Sequence, residues 1–368
     1  MPVARQHRCV RTVRGAGLPA DAFAVVMATG IVSVAARSTG HPAVATAFAA
    51  MAGVALGVLA VCVAVGVATR GSVVATGPDP LARSLLLFSA VAACDVVAAC
   101  LGPDHVGVTA GLGVVAAALW LVLVPRAVAA LRSRPRRSRG EGARGGWLLA
   151  AVGTESLALS AAHLTRAGVA VPVLLGVALA LWALGLAAYL AIAVPIVRRI
   201  AAAPDSVEVL SPDAWVLMGA LAIATLSGSS VVLAARDSGA LPWVPGVLDP
   251  ALVALWALGT AWIPGLVVGE IRRARRVPPC YERARWATVF PLGMYSATCS
   301  LLAVVLAAHG AAGLGGSATV LPSVLRDVGV VAFWVALPVW CVVALGLARL
   351  GWRRVSAARG GSRTDRTE

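Results

Sequence analysis

Two acidic residues stand inside apolar stretches that otherwise carry no charge. Asp95 lies in "AVAACDVVAACL" and Glu155 in "LLAAVGTESLALSAA". An ionised carboxylate at the centre of a bilayer costs about 2.5–3.5 kcal/mol. No arginine falls deep enough in an apolar stretch to pair with either acid. Each acid must therefore be protonated, bonded to neighbouring hydroxyls, or turned toward water. The chemistry open to them is a proton relay or a gate charge; the plainer alternative is a neutral acid held by a nearby hydroxyl. Asp21, two residues after Pro19, reads as a helix N-cap.

Other chemistry falls away. "SGSS" at Ser227–Ser230 lacks the context of a nucleophile elbow, and no histidine lies near a catalytic partner in sequence. His41, His105 and His309 are too dispersed for a metal site. The seven cysteines form no C-x-x-C pair and lie mostly in apolar runs, where they act as small hydrophobes. The sequence thus points to no enzyme, metal or cofactor.

A third feature is "ATVFPLGMYSAT", Ala287–Thr298. Pro291 has no N–H, so the carbonyl of Ala287 loses its helical partner. Pro291 and Gly293 together predict a kink. Beside them stands Phe290, one of only five phenylalanines. Irregular backbone at membrane depth is tolerated only against protein or a water-filled path. An aromatic ring there either packs against a neighbour or narrows a pore.

The elements that must position these residues are membrane helices. The chain has 368 residues, is 60% hydrophobic with 13% charged, and has a mean hydropathy of +0.88, which excludes an ordinary soluble domain. Ten apolar segments are long enough to be spans: 20–36, 44–69, 84–101, 106–125, 147–164, 171–197, 213–234, 248–269, 286–308 and 328–350. With ten spans, all but four of the 31 basic residues, every one an arginine, fall on one side. Only Arg37, Arg166, Arg236 and Arg326 fall on the other. This sorting predicts both termini in the cytoplasm of a bacterial cell, with the chain multi-pass in its cytoplasmic membrane. Cleavage of the first span as a signal peptide would reverse the sorting. The net charge of +15 is thereby explained by topology, without nucleic acid as a partner. It leaves room for anchoring to anionic lipid and for drawing anions to a cytoplasmic mouth. The expected organisation is a cytoplasmic tail at 1–19, a membrane domain at 20–350 and a disordered cytoplasmic tail at 351–368.

The odd spans hold most of the small and polar residues: Thr29 and Ser33 in the first, Asp95 in the third, Gly153, Thr154 and Glu155 in the fifth, Ser229 in the seventh and Gly293 in the ninth. The even spans are richer in plain Ala, Val and Leu. Lipid offers polar groups no partners, so the odd spans are expected to form an interior, either around a path or through tight packing of small residues.

Several stretches share one resemblance. "FAVVMATGIVS" (Phe23–Ser33), "WLLAAVGTES" (Trp147–Ser156), "WVLMGALAIATLSG" (Trp215–Gly228), "LGTAWIPGL" (Leu258–Leu266) and "WATVFPLGMYSAT" (Trp286–Thr298) occur in this order. Together they resemble the tellurite-resistance/C4-dicarboxylate transporter family, whose members include the bacterial tellurite-resistance protein TehA, the yeast malate permease, fungal sulfite efflux pumps and plant guard-cell slow anion channels. The resemblance spans roughly residues 18–350 and departs from the family at Ala28 and Ala261. It implies an all-α fold of five helical hairpins around a pseudo-fivefold central pore, a homotrimer in the lipid bilayer, and a small inorganic or organic anion as substrate. It carries the pore gate onto Phe290 and makes Thr29, Ser33, Gly153, Thr154, Ser229 and Gly293 candidate lining. Proton linkage through Asp95 and Glu155, export of sulfite or malate, and a non-conducting membrane sensor or scaffold stay open at this point.

Overall fold

The structure, a computed structural model, describes residues 18–70, 79–102, 105–135, 138, 140, 142–203, 211–277, 281–310 and 320–364. These residues form helices and turns with no strand. The helices are α1 (Ala24–Ser38), α2 (Pro42–Arg70), α3 (Pro80–Leu101, bent once at Leu87), α4 (Val106–Arg132), α5 (Leu149–Arg166), α6 (Val171–Ala202), α7 (Val216–Ser238), α8 (Val244–Arg276), α9 (Trp286–Gly310) and α10 (Val320–Thr364). Nine of them are long and apolar enough to cross a bilayer. The exception is α1, whose 15 residues reach about 22 Å at 1.5 Å per residue. The expected tail at 1–19 lies almost wholly outside the described residues. At the other end α10 runs as helix to Thr364, past the expected boundary at 350.

Local sequence explains where the inner helices begin. Short 3-10 turns at Gly145–Leu148, Pro212–Trp215 and Arg283–Arg285 lead into α5, α7 and α9. Pro80 and Pro212 sit at first helical positions, where a missing N–H is harmless. Asp79 caps α3 by accepting from the backbone N–H of Leu81 (3.0 Å) and Ala82 (3.2 Å).

The helices pair as five hairpins, and burial separates the two members of each pair. In their most apolar stretches, α3, α5, α7 and α9 are 72%, 83%, 94% and 72% buried, while α2, α4, α6, α8 and α10 reach only 11–28%. The odd helices are therefore inside, as their composition predicts. Each packs on the next, α1 on α3, α3 on α5, α5 on α7 and α7 on α9, and α9 returns to α1. The inner helices form a closed ring of five, with the even helices outside it.

A recurrent tryptophan ties the two layers. Trp120 of α4 donates its indole N–H to Thr154 Oγ1 on α5 (2.9 Å), and Trp182 of α6 to the Ala224 carbonyl on α7 (2.8 Å). Trp256 of α8 donates to Cys299 Sγ on α9 (3.3 Å), and Trp340 of α10 to Thr29 Oγ1 on α1 (3.1 Å). Each of these four outer helices is linked by its loop to one inner helix and by its indole to the following one. An indole N–H at this depth has no water to bond, so it must find such a partner. The outer helix α2 has no tryptophan; there Ser33 Oγ of α1 donates to the Ala45 carbonyl (2.7 Å), and Phe48 packs edge-on against Trp340. Trp340→Phe should keep the ring and lose only the bond, destabilising the protein by about 0.6–1 kcal/mol. Trp340→Ala should also lose the contacts with Phe48 and Trp286, costing about 3–5 kcal/mol. Melting of the detergent-solubilised protein checks both; equal effects of the two variants would refute the assignment.

Candidate functional site

A cavity of about 480 Å3 opens among the starts of the five inner helices, on the arginine-rich side of the chain. All five contribute to its wall, and they do so in layers. The rim has one or more charged residues from each: Asp21 before α1, Asp79 and Arg83 on α3, Arg144 before α5, Asp213 before α7 and Arg283 before α9. One or two turns deeper, each helix ends its share of the wall in an apolar residue: Met27, Leu86, Leu149, Val216 and Phe290. The result is a charged mouth over an apolar floor, and Phe290 is the bulkiest side chain of that floor.

The turn before α9 gives Arg283 and Ala284 to the wall, and α9 itself gives Trp286, Ala287 and Phe290, of which Ala287 and Phe290, three residues apart, share one face. The Phe290 ring is 2% exposed, and beyond it Ile31, Ile223 and Met294 are at most 1% exposed. Phe290 thus borders the cavity while almost none of its surface is open to it. α9 remains helical through Pro291. The proline ring sits on Gly219 of α7, where an added Cβ would come within 2.7 Å of Pro291 Cγ. Gly219 is the seat of the proline, a role its position in the sequence does not reveal.

The expected lining residues are mostly engaged elsewhere. Thr29 and Thr154 accept from the outer-helix tryptophans, and Ser33 bonds to α2. A Cβ at Gly153 would meet Phe88 of α3 at 3.1–3.3 Å, and one at Gly293 would meet Ile31 of α1 at 2.9 Å. These five residues are joints between helices, and none of them borders the cavity. Ser229 differs: its hydroxyl is buried and has no hydrogen-bond partner among the described residues.

The two acids lie between inner helices, away from the cavity wall. Ser156 (2.8 Å) and Ser160 (2.7 Å) of α5 bond the carboxyl of Asp95 on α3. Ser227 of α7 bonds Glu155 Oε2 at 2.6 Å. Ser156 also lies 3.0 Å from the Gly153 carbonyl, and Ser227 3.2 Å from that of Ala224. Each serine can therefore accept an acid proton while donating its own to the backbone, which lets a neutral acid bond fully on that side. Glu155 Oε1 has no hydrogen-bond partner among the described residues and points at Gly185 of α6, where a Cβ would be 2.4 Å away.

The rim acids are tied to the chain around them. Burial tends to raise the Asp79 pKa, but Arg134 and the N–H groups of Ala82 and Leu81 outweigh it and hold the carboxyl below its usual value. Asp213 accepts from the Gly146 N–H (2.9 Å) and from Ser211. Asp21 does not cap α1, because Phe23 occupies that position; it faces the cavity 3.9 Å from Arg283. A phenylalanine at the cap leaves the acid free to serve the rim instead.

At the opposite face the few arginines hold helix ends. Arg37 donates to the Cys100 carbonyl (2.6 Å) and Arg236 to that of Val305 (2.9 Å). Arg236 pairs with Asp249 and Arg166 with Asp237. Cations at helix C-termini meet the negative end of the macrodipole.

The profile of the family described as voltage-dependent anion channel matches residues 17–348. The chain belongs to this family. Its members are anion channels and transporters, not enzymes. Two relatives from Mycobacterium tuberculosis, the uncharacterized membrane proteins MT1776 (strain CDC 1551) and Rv1735c (strain H37Rv), are each 35% identical over 161 residues, 43% of this chain and 74% of theirs. The rim residues Arg83, Arg144 and Arg283 went unnoticed as a set in the sequence, since they lie far apart along the chain. The available signal was their shared place just before or at the start of an odd span.

Proposed function

We infer that the protein is a passive anion channel and that the ring of inner helices is its path. The observation that carries this reading is the cavity among the starts of the inner helices, whose wall includes Phe290. The arginine sorting supports a cytoplasmic location for this face. An apolar constriction without a fixed cation suits conduction, because a deep arginine would hold an anion too tightly to release it. Phe290 then acts as the plug, and its near-complete burial corresponds to a closed channel. The fivefold reading of the pore rests on the ring contacts, and assembly as a homotrimer on the family resemblance. Purified protein in liposomes should pass some of chloride, nitrate, sulfite, malate and tellurite above protein-free controls. No flux of any of them, from protein that stays folded, would favour a membrane sensor or scaffold.

A second reading, a proton-linked permease, draws on the orphaned Oε1 of Glu155. In the channel reading this acid is a neutral link between α5 and α7. Glu155→Gln should then leave flux and its pH dependence within about twofold of wild type, since Gln keeps the shape and hydrogen-bonding capacity of the neutral acid. Loss of pH-driven uptake in this variant would select the proton-linked reading.

A further inference from the structure

The mouth of the cavity carries three arginines, Arg83, Arg144 and Arg283, beside three acids, Asp21, Asp79 and Asp213. Of its three acids, Asp79 is engaged by Arg134 and two helix-start amides, and Asp213 by Gly146 and Ser211. Asp21 faces Arg283. Arg83 and Arg144 have no acidic partner among the described residues; Arg83 lies on α3 and Arg144 just before the turn that leads into its ring neighbour α5. The cavity of about 480 Å3 falls in the size range of small-molecule sites. Its apolar floor is closed by Phe290, so a bulky anion can come in but cannot pass.

We propose that this vestibule binds a multivalent phosphate-bearing anion, which bridges Arg83 and Arg144 above Phe290 and blocks the path from the arginine-rich side. Two guanidinium groups flanking one cavity suit a ligand with two anionic centres, and guanidinium matches phosphate oxygens in pairs. The inner helix starts around the rim add N–H dipoles of the same preference. The chemistry fits both inorganic pyrophosphate and a nucleoside polyphosphate. The block, though not the binding, rests on the channel reading above.

Calorimetry on the full-length protein in detergent, titrated with pyrophosphate and separately with ATP, tests the site without any transport measurement. Pyrophosphate should bind in the micromolar to millimolar range. Arg144→Gln, an exposed position, should weaken it by about tenfold, and addition of Arg83→Gln should weaken it further. Arg326→Gln, at the other face, should not alter it. ATP binding more tightly than pyrophosphate identifies a nucleotide as the ligand; equal binding identifies the phosphate chain alone. In liposomes, the bound anion should stop halide flux only when added on the arginine-rich side. Undetectable binding at millimolar pyrophosphate, binding unchanged in both arginine variants, or tighter binding of malate than of pyrophosphate would each overturn the proposal. Binding by a protein that conducts nothing would remove the channel reading and leave the site in place.

Discussion

Phe290→Ala is expected to raise anion flux through the reconstituted protein by about tenfold or more. Phe290 is the largest of five apolar side chains, one per inner helix, that close the base of the vestibule. Truncation removes the ring but keeps the backbone that carries it. The space gained joins the cavity, which would allow water to extend past the former floor. In a dry core such a truncation costs about 3–5 kcal/mol. One side of Phe290 already borders the cavity, so the cost here should fall at or below the low end of that range. Phe290→Leu should give an intermediate flux, because it leaves an apolar but smaller plug. Met27→Ala, at the same level on α1, should have a smaller effect in the same direction. The measurement is halide efflux from liposomes, normalised to monodisperse protein. Wild-type flux in a folded Phe290→Ala protein would end the role of this ring as the plug.

The sequence revealed which helices are inside, but not which way their polar residues face. Thr29, Ser33, Thr154, Ser296 and Thr298 all lie on inner helices, as their polarity suggested, yet each bonds a neighbouring helix. The reason is physical. A hydroxyl in a lipid-embedded bundle is satisfied as well by an adjacent carbonyl or indole as by a path, and composition does not distinguish the two. Direction becomes visible only once the partners are known, as with the tryptophans near the middle of four even helices. Phe290 stood out in the sequence because it is beside a proline in a family motif. Its surroundings were not: Gly219, the residues of the apolar floor and the arginines of the rim come from separate spans, and only the closing of the ring brings them to one level. The turns before α5, α7 and α9 were equally hidden, since their role depends on which backbone lies across them.

That last point predicts that a single methyl group is strongly damaging at Gly145, where an added Cβ comes nearer to backbone than at any other described glycine. Gly145→Ala should destabilise the protein by about 3 kcal/mol or more, beyond the usual penalty for overpacking. A Cβ at Gly145 would lie 1.7 Å from the Asp213 carbonyl oxygen, 2.4 Å from its carbon and 2.8 Å from the Ala214 nitrogen. All three are backbone atoms, so no side chain can rotate to make room. The turns that start α5 and α7 would have to separate. Separation would break the bond from the Gly146 N–H to the carboxylate of Asp213, an acid only 9% exposed, and leave that charge poorly paired. Arg144 and Asp213 both belong to the vestibule rim, so any protein that survived should also bind multivalent anions poorly. The comparison is Gly176→Ala on outer helix α6, where an added Cβ meets nothing within 4 Å and alanine gains up to about 1 kcal/mol of helix propensity. Melting curves of the two purified variants decide the matter. If Gly145→Ala melts with wild type, the inner helix starts are not in backbone contact, and the rim is looser than its geometry implies.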